Sequence, residues 1–254
     1  MGLRQIWELT RPPVGRDAFI SLGMNAGLGH EPPKNPVRTT FSVKSNRYRN
    51  LLTNKWLTDV NQLWVCDITY FQDRLQNTYY LFFMMDAYSR RIIGYSGADN
   101  LRAAHATDAL KMALKFRNTK DYKGKLIHHS DRGSQYIAHE YTQLLEKTNI
   151  QISMCQSALE NAFVERVHGT IKNQYLIYRP INSLKSLTLW LKKDVHTYNY
   201  NRPHSSLKGM TPVEFEDTLS TIPVNQRTKL AIFTINHEYF KKADPNQLSL
   251  FYAI

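Results

Sequence analysis

Three short runs open the middle of the chain: NQLWVCDITYF, TYYLFFMMDAYS and RRIIGYSGA. Each is rich in β-branched and aromatic residues, and polar or charged breaks separate them, the pattern of a strand meander. A helical segment, LRAAHATDALKMALKF, is followed by the strand KLIHH, a helix around AHEYTQLLEKTN and a last strand, IQISM. Three strands and then alternating helix and strand predict an α/β fold, a mixed five-stranded sheet with helices on its faces. A long helix over about residues 158–176 comes next, then a second over SLKSLTLWLKKDVHTYNYN that ends at RPH.

The flanks differ from this core. Residues 1–29 read as a short helical segment, LRQIWELT and RDAFISLGMNAGL around the break RPPVG. Residues 30–60 carry three prolines and many basic residues, a linker or an arm lying on something acidic. The core then spans 61–178 and a helical C-terminal extension 179–217, while 218–254 is a tail to which the pattern gives no role.

Charge changes the picture. The 33 Lys and Arg exceed the 21 Asp and Glu, a formal surplus of +12 that favours a polyanionic partner, nucleic acid before membrane. The two cysteines, Cys66 and Cys155, stand far apart without CxxC spacing, which argues against a disulfide framework or a zinc finger. The longest apolar run, YYLFFMM, is far short of a membrane span, and the N-terminus lacks a signal-peptide core. A cytoplasmic location is expected.

Three carboxylates then draw notice. Asp67 is the only charge in its strand, with Leu63, Val65 and Thr69 on its own face and Trp64, Cys66, Ile68 and Tyr70 on the other. Two apolar faces predict a central strand, where a carboxylate needs a paired arginine or a metal ion. Asp131 follows the strand KLIHHS directly, at a strand end where ligand sites collect, although a turn role before Gly133 would also explain it. In ALENAFVERVHGTIKNQYL the residues Leu159, Phe163, Val167 and Ile171 form an apolar stripe. Glu165 lies opposite, with Lys172 near its own angular position, which an exposed salt-bridging face would equally produce. Glu160 is a rival to Glu165. Together the three acids are oxygen donors of the kind hard divalent cations take, and two such ions about 3.5–4 Å apart serve phosphoryl transfer.

WVCDITY, HHSDRGSQY and ENAFVERVHGTIK, in that order, resemble the D-D-E signature of the retroviral-integrase superfamily. The likeness is closest to OrfB-type transposases of insertion-sequence family three, whose ending is similar to YNYNRPHSSLKGMTPVEF here; DAYSRRIIGY also matches, and the likeness spans about residues 5–217. It implies an RNase H-like sheet, with Asp67, Asp131 and Glu165 as catalytic metal ligands for Mg²⁺ or Mn²⁺, two ions in all. It implies that Lys172 holds the DNA end, and Arg132 is a further candidate for phosphate contact. The activity implied is cleavage of element ends followed by joining of the freed 3′-hydroxyl to a target phosphodiester. Partners implied are double-stranded DNA, further copies of the chain and the upstream-frame product, OrfA, in a bacterial, nucleoid-associated setting. The stretch between Asp131 and Glu165 is shorter than is usual in that group, the difference falling in MCQSALENA. The alternatives are a standalone nuclease with the same acids, and a catalytically inactive or degenerate transposase fragment that binds DNA or regulates the active protein.

Overall fold

The computed structural model describes residues 2–28, 47–119, 124–155 and 162–232. Most of the expected linker, the later part of the expected tail, the rival acid Glu160 and the first residues of the expected helix over 158–176 lie outside them.

Two short helices come first, α1 (Leu3–Thr10) and α2 (Arg16–Asn25). The strands are β1 (Lys55–Leu57), β2 (Leu63–Gln72), β3 (Thr78–Asp86), β4 (Ile92–Ala98), β5 (Ile127–Ser130), β6 (Gln151–Met154) and β7 (Leu230–Ile232). Between and after them run α3 (Ala103–Arg117), α4 (Ser134–Ile137), α5 (His139–Lys147), α6 (Ala162–Thr170), α7 (Leu184–Tyr200) and α8 (Pro212–Leu219). Five strands form the main sheet in the order β4-β3-β2-β5-β6. β2 pairs antiparallel with β3 and parallel with β5. The two-faced apolar pattern around Asp67 thus corresponds to the middle strand.

Alternation along β2 divides the core in two. Leu63 and Val65 pack with Leu81, Phe83 and Met85 of β3 beneath Val164 and Val167 of α6 and Leu187 and Leu191 of α7. Trp64 and Cys66 pack on the other face with Phe82, Met84, Leu110 of α3 and Tyr141 and Leu145 of α5. Gly94 lets β4 approach α3 so closely that a Cβ there would lie 2.1 Å from the Ala109 carbonyl oxygen.

The helical stretch after α6 departs from an unbroken helix. Residues Ile171–Tyr175 form a π turn and Leu176–Tyr178 a 3₁₀ turn. The wider turn rotates its own residues, Lys172 among them, relative to Glu165. The ending of the chain's sequence motif has a physical reading as well. In α8 the Thr211 hydroxyl accepts from Glu214 N–H at 3.2 Å and the Glu214 carboxylate accepts from Thr211 N–H at 2.8 Å, with Pro212 in the first turn. TPVE is a capping box. In α7, Asn199 closes the start of edge strand β4, its amide accepting from Ile92 N–H and donating to Ile92 C=O, both at 2.9 Å.

The end of the expected linker and part of the expected tail pair with one another: β1 runs antiparallel to β7, Lys55 opposite Ile232. Strands of three residues carry too little pattern to be read from sequence.

Candidate active site

Asp67 sits mid-strand on β2, on the face turned to α6. Its neighbour Cys66 is opposite Ser130, the last residue of β5, in parallel register. Asp131 follows immediately, so the two acids emerge on adjacent strands of the sheet. Asp131 makes the turn contact that its place before Gly133 suggests. Its Oδ1 accepts from Gly133 N–H at 2.9 Å, the turn role, and a second carboxylate oxygen remains to face a ligand.

Like charge concentrates here. Burial, then Asp131 and Glu165, raise the Asp67 carboxyl well above its ordinary value, although Ile68 N–H and Lys172 pull it back. Burial also raises Asp131, against the opposing Gly133 N–H bond. Glu165 is solvent-exposed on α6, and what desolvation it has raises its carboxyl too. All three candidates are oxygen donors, the chemistry that suits a hard divalent cation. Asp67 and Asp131 stand as the pair, with Glu165 within reach of Asp67 through Coulomb interaction. Among the described residues no three His, Cys, Asp or Glu side chains are drawn together closely enough to hold an ion.

Lys172 belongs to the π turn, and there its ammonium turns toward the sheet. Nζ donates to Thr69 Oγ1 at 2.8 Å and lies 5.3 Å from the centre of the Tyr70 ring. Burial lowers its pKa while Asp67 holds it up. Arg132 Nε donates to the Cys155 carbonyl at 2.9 Å, which anchors that guanidinium beside Asp131.

His168, one turn of α6 beyond Glu165, is a neighbour that the sequence does not single out. Its Nδ1 is 3.8 Å from Asp67 Oδ2, and its ring stands 5.7 Å from that of Phe83. Burial, with Lys172, lowers its pKa to about 3, so the imidazole is neutral at neutral pH and the contact is not an ion pair. Its place three residues after Glu165 on a helix is the available signal.

Beneath the acids the two histidines before Asp131 point to opposite faces. His128 Nε2 is 2.9 Å from Cys66 Sγ and 2.7 Å from the Tyr141 hydroxyl. His129 Nε2 is 3.0 Å from Cys155 Sγ, and its Nδ1 is 2.8 Å from Ser153 Oγ. Burial brings His128 to about 3 and His129 to about 4, and raises the Cys66 thiol far above its ordinary value. These are neutral, packed hydrogen-bond pairs supporting the ends of β5 and β6.

Comparison with known proteins identifies the fold and the family. Two models described as integrase core domain match, one over residues 58–158 and one over 146–212. The IS600 insertion element's 31 kDa protein from Shigella sonnei is 33% identical over 80% of this chain and 75% of its own length. A putative transposase for the insertion element IS986/IS6110 of Mycobacterium tuberculosis is 32% identical over 85% of this chain and 81% of its own. The transposase for IS629 of Shigella sonnei is 28% identical over 85% and 73%. In fold, the chain is similar to one in the structure of a simian T-cell lymphotropic virus intasome bound to PP2A regulatory subunit B56 gamma. That likeness has a TM-score of 0.53 at 15% identity and covers 90% of this chain and 75% of the other. The mixed sheet flanked by helices is the RNase H-like fold of integrase cores. With its integrase core and its insertion-element relatives, the chain belongs to the transposases of insertion-sequence family three.

Proposed function

We propose that this chain cleaves the ends of an insertion element and joins the freed 3′-hydroxyl to target DNA. One observation carries the reading: Asp67 and Asp131 emerge side by side from adjacent parallel strands, with Glu165 adding a third negative charge at Asp67. Carboxylates crowded in this way either hold a proton or, to be ionised together, take a cation between them. Asp67 and Asp131 would hold a divalent ion, with Glu165 closing on it. When bound, such an ion polarises the phosphoryl group and eases ionisation of the attacking oxygen.

The rest is chain and substrate chemistry. In cleavage, a water oxygen attacks phosphorus and the bond from phosphorus to the 3′-oxygen breaks. That oxygen takes a proton and becomes the free 3′-hydroxyl, and the phosphate stays on the other fragment. In joining, the hydroxyl attacks a target phosphorus and displaces that strand's 3′-oxygen, so one phosphodiester replaces another and no outside energy is needed. Lys172, held by Thr69 beside Asp67, is suited to a neighbouring phosphate, and Arg132 extends the positive rim next to Asp131. The surplus of basic residues fits a DNA partner.

The test is strand transfer with a labelled oligonucleotide bearing the cleaved element end, in Mg²⁺ or Mn²⁺, with and without the upstream-frame product. Asp67→Asn, Asp131→Asn and Glu165→Gln are expected to abolish joined product, while Glu160→Gln retains it. Joining that persists in Asp67→Asn would overturn the reading. DNA binding with no joining by the native chain under any condition would favour the inactive, regulatory alternative.

A further inference from the structure

A second concentration of charge, positive this time, lies where the RPH motif meets α6 and the turn between β3 and β4. Its charged members are Arg90, Arg166 and Arg202, with the neutral ring of His204 among them. Arg202 is the most deeply held of them, 9% exposed. Its Nη1 donates to Gln5 Oε1 at 2.5 Å and to Gln174 Oε1 at 3.1 Å, and its Nη2 to Thr170 Oγ1 at 3.5 Å. Every one of these acceptors is neutral. Among the described residues no carboxylate forms an ion pair with Arg202 or Arg166. Asp194 pairs with Arg179; Asp86 pairs with Arg117 and also acts on Arg90, so it is Arg202 and Arg166 that have no carboxylate partner among the described residues.

The His204 ring stands edge-on to Tyr198 at 4.7 Å between centres. The buried atoms Nε of Arg202 and Nε2 of His204 have no hydrogen-bond partner among the described residues. Burial, then Arg202, Arg90 and Arg166, lower the pKa of His204 to about 3. Three guanidiniums therefore bear on one ring. Arg90 takes a left-handed backbone, φ 63°, at the turn that brings it there. Arg166 is exposed on α6, directly after Glu165.

A buried guanidinium without a counter-charge is costly, and gathering others around it adds repulsion. An oxyanion removes both costs at once, and the planar fork of arginine matches the oxygens of a phosphate. We propose that Arg90, Arg166, Arg202 and His204 form a site for a phosphate-type oxyanion, filled in function by a backbone phosphodiester of the bound DNA. The assignment to DNA rests on the function proposed above. Because α6 carries both Arg166 and Glu165, a phosphate held here would fix the duplex relative to the helix that bears the third acid.

Two arms test it, both on the full chain. In the first, inorganic phosphate is added against chloride at equal ionic strength. The melting temperature is expected to rise in the native protein, and to rise less in Arg166→Gln, whose exposed side chain can be replaced without unfolding the protein. In the second, a labelled duplex is titrated by anisotropy across a salt series. Loss of one phosphate contact is expected to reduce the slope of log affinity against log salt by about 0.9 in Arg166→Gln and in Arg90→Gln. Arg202→Lys, which keeps the charge but not the fork, is expected to keep the slope and weaken binding. Native slopes in both glutamine variants, with native circular dichroism, would overturn the proposal. So would stabilisation by phosphate with no change in the DNA slope, which would mark a site for free phosphate alone. Asp67→Asn should bind DNA with the native slope. If that variant still joins strands, the functional reading fails while the salt slopes still decide this one.

Discussion

The ammonium of Lys172 donates to the hydroxyl of Thr69 at 2.8 Å, two residues along the strand from Asp67. On a regular helix Lys172 would share an angular position with Glu165. The π turn at Ile171–Tyr175 instead aims it at the sheet. Thr69→Val keeps the shape and removes the acceptor. Joining is then expected to fall about tenfold, and in Lys172→Ala about a hundredfold, losses of roughly 1.4 and 2.7 kcal/mol in the transition state. Single-turnover strand transfer measures both. Equal rates in Thr69→Val and the native chain would show that the hydroxyl does not position the amine.

Crowded carboxylates cost stability when no cation lies between them. Asp67 is raised by burial and then by Asp131 and Glu165, so Asp67→Asn is expected to stabilise the metal-free protein by about 0.5–2 kcal/mol. That corresponds to a rise of a few degrees in Tm for a chain of this size. The same variant should lose most of the stabilisation that added Mg²⁺ gives the native protein. Calorimetry with and without Mg²⁺ checks both halves, and a lower Tm in the metal-free variant would contradict the electrostatic account.

Glu216 gathers Arg91, both Nη atoms of Arg117 and the Ser89 hydroxyl, joining α8 to the start of β4 and the end of α3. Burial opposes its charge, but Arg117, Ser89 and Arg91 together hold its carboxyl below the ordinary 4.5. A depressed carboxylate contributes stability that is present above its unfolded pKa and disappears as the pH falls through the folded one. Glu216→Gln is therefore expected to cost about 3 kcal/mol near neutrality and less in acid. Urea melts at pH 7 and below pH 4.5 would show the gap narrowing, and a gap independent of pH would refute the assignment.

Gly94→Ala drives a methyl group into the Ala109 carbonyl oxygen, which lies 2.1 Å from where that carbon must sit. The contact is with backbone, so no rotamer relieves it. A loss of about 3 kcal/mol is expected, read as a lower denaturation midpoint with an unchanged denaturant slope. Gly169, by contrast, has nothing within 4 Å of such a carbon, and alanine there should be tolerated.

These cases mark how far the fold and site are legible in the sequence. Asp67 stands out because both faces of its strand are apolar, and Asp131 because it follows a strand directly. The order of the five main strands accords with the meander and the alternation after it. Lys172 can be found, but its direction cannot, since a single π turn leaves no mark in a pattern scanned at 3.6 residues per turn. His168 is hidden inside a helix face that packing alone would explain. Asn199, Arg202 and Glu216 act through partners distant in sequence, and such partners appear only when the chain is folded. For β1 and β7, three residues each are too few to carry a period.

The pairing of Lys55 with Ile232 also sets a schedule for synthesis. The polypeptide emerges from the ribosome with its N-terminal part first, so Trp56 and its neighbours must wait, with their edge open, until nearly all of the described chain has been made. Tyr88, whose hydroxyl reaches Thr228 C=O at 2.8 Å, and Asp59, which pairs with Arg227, wait with them. A messenger cut short before codon 230 would yield the five-stranded core with β1 beside it, left without its partner β7. An early stop in such an element would therefore leave an exposed edge for other chains to find.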